Sequence, residues 1–207
     1  MSAREAILGR LKAWPRQEMP RAQPSRQPQD PLQRFAERMT AVKGEVAVCA
    51  DAREVPAVVA DWLREAGARQ LMTGLDPRLD ALLEELAPSF DCLRFGQDFE
   101  TLSDLLFESV DAGISYCEAG VAESGSLVIA SSPDQPRTLS LVPPLHVALL
   151  PRQRLLDDLP DLFAEWRDQP VPPNRILISG PSKSADIEQV LAYGVHGPKR
   201  LLAVVFG

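Results

Sequence analysis

The sequence predicts an α/β protein, with a mostly parallel sheet covered by helices and extra strands inserted in its second half. Three observations carry this. Short apolar runs such as EVAVC (45–49), RILIS (175–179) and LLAVVF (201–206) have the composition of strands buried on both faces. Between the early runs, apolar residues recur at helical spacing, so that strand and helix alternate. The second half then becomes richer in strand-like segments separated by turn-forming residues.

Taken in order, MSAREAILGRLKAW places Ala6, Ile7, Leu11 and Trp14 on one helical face and predicts an amphipathic helix. Prolines at 15, 20, 24, 28 and 31 follow. Proline fixes φ and lacks a donor, so residues 1–29 are expected to form a helix and a Pro-rich arm, with a single domain over 30–207. Asp30 and Pro31 suit the start of a helix carrying Leu32, Phe35, Met39 and Val42. The strand EVAVC precedes a helix through Val55, Val59, Trp62 and Leu63, then a short strand at 70–73 and a helix DPRLDALLEELA. Strands are expected at 111–117, 126–131 and 146–150. A helix is expected over 152–166, although Pro160 should kink or break it. Strands at 175–179 and 201–206 flank ISGPSKSADIEQVLAYGVHGP, read as a polar loop opening an amphipathic helix.

Composition narrows the function classes. With 45% hydrophobic and 25% charged residues over 207 positions, the chain should fold around one sizeable core. Its net charge of −7 divides into +4 for residues 1–38 and −11 for the remainder, and an acidic body argues against nucleic acid and anionic lipid as partners. Aromatic residues amount to 6% and do not alternate with basic clusters, which removes the usual single-strand binding pattern. No apolar run approaches the roughly 18 residues needed to span a bilayer, and the N-terminus lacks the apolar stretch of a secretory signal. Cys49, Cys92 and Cys117 are odd in number and widely spaced, which argues against a disulfide framework, a zinc site or a cysteine-held cluster within this chain. A reducing cytoplasm is the expected compartment.

Two loops could carry chemistry. In the first, Gly180 permits close backbone approach, Pro181 stiffens the turn, and Ser182 and Ser184 supply hydroxyls that could cap the helix or touch an anion. Lys183 in a first helical turn opposes the helix dipole, so it either pairs with Asp186 or awaits a ligand anion. The second loop is EAGVAESGS (118–126), where Gly120 and Gly125 bracket Glu123 and lead into Ser124 and Ser126. Glu123 could act as a general base or acyl acceptor, or simply satisfy backbone donors. Of the two histidines, His146 reads as a hydrogen-bonded core residue, and His196, in a Gly/Pro turn, is the better functional candidate. The phosphate-binding pattern G-x-x-x-x-G-K-[ST] and the nucleophile elbow G-x-S-x-G are both absent.

Together, EAGVAESGSLVIASS, RTLSLVPPLHVALLP and ILISGPSKSADIEQVLAYGVHGP followed by LLAVVF resemble the LutC/YkgG family of lactate-utilisation (LUD) domain proteins. The resemblance is strongest from Gly113 to Phe206 and looser towards the N-terminus. The family usually has Thr where this chain has Ser124 and Ser126, and Arg and Thr where it has Lys183 and Ser184. A lysine cannot reproduce a bidentate arginine contact. The resemblance implies a Rossmann-like sheet of the kind found in sugar-phosphate isomerases, CoA transferases and formyltetrahydrofolate cyclo-ligases. It also implies a part in oxidising L-lactate to pyruvate, as the cluster-free component beside iron–sulfur partner proteins, with no cofactor on this chain. The alternative is an enzyme or binder acting on an anionic metabolite. On that reading Glu123 would be catalytic, and Gly120, Ser124, Gly125, Ser126, Gly180, Ser182, Lys183, Ser184, Asp186 and His196 would bind the ligand.

Overall fold

Strands that are apolar on both faces must be covered on both sides, and the arrangement of the whole chain follows from this. The computed structural model describes residues 3–13, 29–95, 99–185, 191–193 and 197–207. Its elements begin with α1 (Ala3–Ala13), α2 (Pro31–Ala41), β1 (Glu45–Cys49), α3 (Val55–Glu65) and β2 (Gln70–Thr73). Next come α4 (Asp80–Leu86), β3 (Asp91–Arg94), α5 (Phe99–Glu108), β4 (Ala112–Tyr116), β5 (Ala119–Val121) and β6 (Ser126–Ser131). The chain continues through α6 (Thr138–Leu141), β7 (Leu145–Pro151), β8 (Leu155–Leu156) and α7 (Leu159–Trp166). It ends with β9 (Asn174–Ile178), β10 (Lys183–Ala185), β11 (Leu191–Tyr193) and β12 (Arg200–Phe206).

Six strands form a wholly parallel sheet in the order β1-β12-β7-β4-β2-β3, in which β7 and β12 are adjacent interior strands. Alternation along these two strands assigns the faces. Val147, Leu149, Leu202 and Val204 point to one side, where Val55, Val59 and Leu63 of α3 and Leu82 and Leu86 of α4 cover them. Ala148, Leu150, Leu201, Ala203 and Val205 point to the other, against Phe35 and Met39 of α2 and Leu127 and Ile129 of β6. Each fully buried leucine or phenylalanine here contributes about 1.5–3 kcal/mol of transfer free energy.

The second face is therefore covered partly by another sheet, in the order β8-β5-β6-β9. These are the inserted strands. Pairing is antiparallel for β5 with β6 and for β6 with β9, and parallel for β5 with β8.

Several elements differ from expectation. Ala119–Val121, read as loop, is a buried strand, because Gly120 lies against Leu150 and Leu155 and leaves room for nothing larger. The helix expected over 152–166 is a single 3₁₀ turn (Arg152–Arg154), then β8, then α7. Pro160 sits in the first turn of α7, where its missing N–H costs nothing, and Asp158 accepts from the Asp161 N–H at 2.9 Å as the cap. The helix expected after Gly180 is corrected at both ends, since Lys183–Ala185 and Leu191–Tyr193 pair as antiparallel strands. Strand β3 and helices α5 and α6 were not anticipated. The proline segment over 15–28, Trp14, Asp186 and His196 lie outside the described residues.

One close approach positions the edge of the sheet after β2. At Gly74, immediately after β2, a Cβ would fall 1.8 Å from the Asp134 carbonyl oxygen, and the adjacent Leu75 N–H donates to that oxygen at 2.7 Å. Gly74→Ala should therefore separate the end of β2 from the 132–135 segment and lower stability by about 1–3 kcal/mol in urea titration. A second prediction concerns His146, which is fully buried on β7. Burial pushes its pKa down from 6.5 to about 3. The unfolded chain takes up this proton near 6.5 and the native chain does not, so His146 allows full stability above that pH. Stability should then fall as pH drops from about 6.5 towards 3, by at most about 1.4 kcal/mol per pH unit. Urea midpoints at pH 7, 6 and 5 should decline accordingly, and less steeply for His146→Leu.

Candidate functional site

In an open parallel sheet, ligands sit beyond the carboxyl ends of the strands where the connections diverge. Here the divergence is between β2 and β4: β2 is followed by β3 on one side, and β4 by β7 on the other. Two adjoining cavities occupy this edge, of about 490 and 580 Å³, and both are lined by Arg78 and Tyr116. The first is mainly apolar, with Val55, Leu82, Leu149 and Phe206 among its walls. The second is polar and includes Asp76, Gln135, Gln153 and Arg154.

The two shared residues are held from several directions. Arg78 follows Asp76 and Pro77 in a 3₁₀ turn, whose first N–H groups the Asp76 carboxylate caps by accepting from the Arg78 N–H at 3.0 Å. The same carboxylate accepts from Arg78 Nε at 2.9 Å, and this places the guanidinium 3.8 Å above the Tyr116 ring. Asp76 is only 13% exposed, whereas Arg78 is 57% exposed. The aspartate is thus committed, and the arginine keeps a free edge towards solvent. Tyr116 ends β4. Its N–H donates to Gln135 Oε1 at 2.7 Å and its carbonyl accepts from Gln135 Nε2 at 3.0 Å, so a buried side-chain amide stands in for a neighbouring strand. The Tyr116 ring meets Phe206 edge-on at 6.2 Å.

Electrostatics decide what this arrangement can do. The Arg78 guanidinium holds the Asp76 carboxyl below its ordinary range, which makes Asp76 a weak base. Burial raises the Tyr116 phenol, against the opposing charge of Arg78, so it is a neutral hydrogen-bond donor. Burial also raises the neighbouring Cys117 thiol, which is inert as a nucleophile. Glu118 is fully engaged: Arg175 donates to it through Nε at 2.9 Å and Nη2 at 3.0 Å, and Trp166 Nε1 donates at 3.1 Å. Arg175 stacks on Trp166 at 4.4 Å, and this cluster fixes α7 and β9 to the wall of the site. The crevice therefore offers a positioned cation, an aromatic surface and a neutral donor. That combination suits the binding of a small anion.

The loops singled out from the sequence lie elsewhere. Gly180, Ser182 and Lys183 line a third cavity of about 320 Å³ together with Ser140, His146 and Leu201. It lies at the amino ends of β7 and β12, and the loop follows β9 of the second sheet, not a strand of the parallel one. Lys183 is exposed, on a strand and not in a helical turn, so the dipole argument does not apply to it. Ser184 is the next residue of the same strand. The two loops do meet: Ser126 Oγ lies 2.8 Å from Ser124 Oγ and 2.6 Å from Ser179 Oγ, and Gly180 comes next in sequence. Gly125, at φ 64°, lies against Arg38 and Met39 of α2, where no larger residue fits. Glu123 is exposed at the turn, and its N–H donates to the Asp157 carbonyl at 3.0 Å. Gly120 lies within the buried strand β5, apart from this cavity. His146 is in the core as expected, but neither ring nitrogen has a hydrogen-bond partner among the described residues.

Sequence reasoning missed Asp76, Arg78, Tyr116 and Gln135. The signal was available in TGLDPR, a polar turn directly after the strand at 70–73. It was read only as a helix start, because the strand order that makes this edge a crevice cannot be seen in one dimension.

Comparison with known proteins agrees with this architecture. A crystal structure of a DUF162 family protein from Deinococcus radiodurans superposes with a TM-score of 0.58, covering 86% of this chain and 96% of the other at 22% identity, which shows a shared fold. An uncharacterized protein of Neisseria meningitidis serogroup B is 40% identical over 112 residues, 53% of this chain and 48% of that protein. Proteins called lactate utilization protein C are 27% identical over 163 residues in Oceanobacillus iheyensis and 33% over 154 in Halalkalibacterium halodurans. These matches cover 74% and 69% of this chain, and 70% and 65% of the respective relatives. The sequence pattern of the LUD domain matches residues 32–206, and the chain belongs to the LUD domain family.

Proposed function

We propose that this protein acts in lactate utilisation by binding a small carboxylate in the Arg78–Tyr116 crevice, beside iron–sulfur partner proteins that carry the electrons. The observation that carries the binding role is the Arg78 guanidinium, stacked on Tyr116 between two cavities at the sheet's carboxyl edge. One edge of the fork is occupied by Asp76 and the other is available to a carboxylate oxygen pair. The Tyr116 phenol supplies a neutral donor for a hydroxyl or keto oxygen. Relatives named for lactate utilisation support the metabolic setting. The wide spacing of Cys49, Cys92 and Cys117 supports placing the redox centres on partners, in a reducing cytoplasm. Among the described residues no helix is long and apolar enough to cross a membrane.

On this reading the protein's contribution is holding and orienting a small anion, with electron transfer performed elsewhere. Glu123, exposed at its turn, has no part in the crevice.

Titration of the purified protein with L-lactate and with pyruvate, followed by calorimetry, should show saturable binding. Arg78→Ala should weaken it by about tenfold or more, as expected for losing hydrogen bonds to a charged group, and Arg78→Lys should restore only part. Equal affinity in all three proteins would overturn the assignment of Arg78. For the partners, a tagged copy recovered from native cells should enrich cysteine-rich iron–sulfur proteins, and the deletion strain should grow poorly on lactate. Normal growth together with no enrichment would sink the proposed setting.

A further inference from the structure

We propose that the cavity at the amino ends of β7 and β12 is a second binding site, for a small organic anion carrying a hydroxyl or carbonyl oxygen. His146 at its floor receives the oxygen, and Lys183 at its mouth receives the charge.

His146 is 0% exposed and lines the cavity, yet among the described residues neither Nδ1 nor Nε2 has a hydrogen-bond partner. A buried polar group without a partner is costly, and its neighbours on the same face of β7, Ala148 and Leu150, show that apolar side chains suit this surface. Two of the hydroxyls around it are already engaged: Ser140 Oγ donates to the Arg137 carbonyl at 2.9 Å, and Ser179 Oγ is hydrogen-bonded to Ser126 Oγ at 2.6 Å. His146 is the fully buried floor group with no such partner among the described residues.

The chemistry of the partner follows from the state of the ring. A neutral imidazole offers one donor and one acceptor and matches a hydroxyl or a carbonyl oxygen better than a full charge. The charge is met by Lys183, exposed on β10 at the rim. A metal ion is disfavoured, because one imidazole beside an ammonium group is a poor ligand set, and no cluster of three or more metal-binding side chains occurs among the described residues. Leu141, Ile178 and Leu201 give the walls an apolar lining. A volume of about 320 Å³ suits a molecule of only a few carbons.

This site does not depend on the reading of the Arg78 crevice. The two lie at opposite ends of β7, since His146 is its second residue while Leu149 and Pro151 line the crevice cavities. From His146 to Pro151 the strand runs about 16 Å.

The chain has two histidines, so ¹⁵N-imidazole spectra of the full-length protein are simple, and His146→Leu assigns the signals. The probes are glycolate and acetate, which differ by one hydroxyl. Glycolate should shift the His146 nitrogens saturably, and acetate should bind about tenfold more weakly. Lys183→Ala should weaken glycolate binding severalfold with the fold intact, whereas Arg78→Ala should leave the His146 response unchanged. The proposal is overturned if glycolate produces no saturable shift, if acetate binds equally well, or if Lys183→Ala has no effect. It is likewise overturned if the response disappears in Arg78→Ala, since that result would assign it to the crevice. An intact His146 response with no effect of Arg78→Ala on lactate or pyruvate binding would instead reject the crevice reading alone.

Discussion

The burial of β7 on both faces is the constraint from which the rest of the molecule follows. All seven of its residues are buried, so a cover is needed on each side of the sheet. Helices α3 and α4 supply one cover in the ordinary way. On the other side α2 covers only part of the surface, and the chain completes it with β5, β6, β8 and β9. The inserted sheet is thus a structural necessity before it is anything else. Its margins then become walls: the end of β6 and the turn after it border the crevice, and β9 with the loop after it borders the cavity at the amino end.

The crevice depends on this cover through a few polar contacts. Gln135 binds Tyr116 at both backbone groups and also donates to the Ala130 carbonyl at 3.3 Å, joining the end of β4 to the penultimate residue of β6 through one amide. The 132–135 segment simultaneously holds Leu75 after β2. Arg78 therefore stands over Tyr116 because the turn after β2 and the end of β4 are fastened to the same short segment. Removing either fastening would leave the residues present but their relative placement undefined, which for a single-cation anion site is most of the function.

Much of this was legible in the sequence, and the failures have identifiable causes. Strands β2, β6 and β12 were found because both-face burial makes them continuous apolar runs, while β1 and β9 are apolar runs at sheet edges that leave Val48 and Leu177 exposed. Strand β5 was not, because its central Gly120 is chosen for the nearness of Leu150, and glycine in one dimension signals a turn. The segment after Gly180 was read as helix from its spacing, yet its described ends pair as strands, so tertiary context outweighed periodicity. Of the candidate residues, Gly180, Ser182 and Lys183 do line a cavity, and Ser124 and Ser126 adjoin it. Asp76, Arg78 and Tyr116 come together only through a strand order that local sequence does not encode.

His146 shows why a buried residue can be placed correctly and still be misread. Alternation along β7 put it with Ala148 and Leu150, and the structure agrees. The further step, that a core histidine is hydrogen-bonded, rests on the rule that buried polar groups find partners. Among the described residues no partner meets its ring nitrogens, and the ring lies beside a cavity whose rim carries a lysine. An unpaired group deep in an apolar core would be a simple loss of stability. At the floor of a cavity the same group contributes a specific contact to an occupant, and the cost of leaving it unmatched is what makes that contact selective.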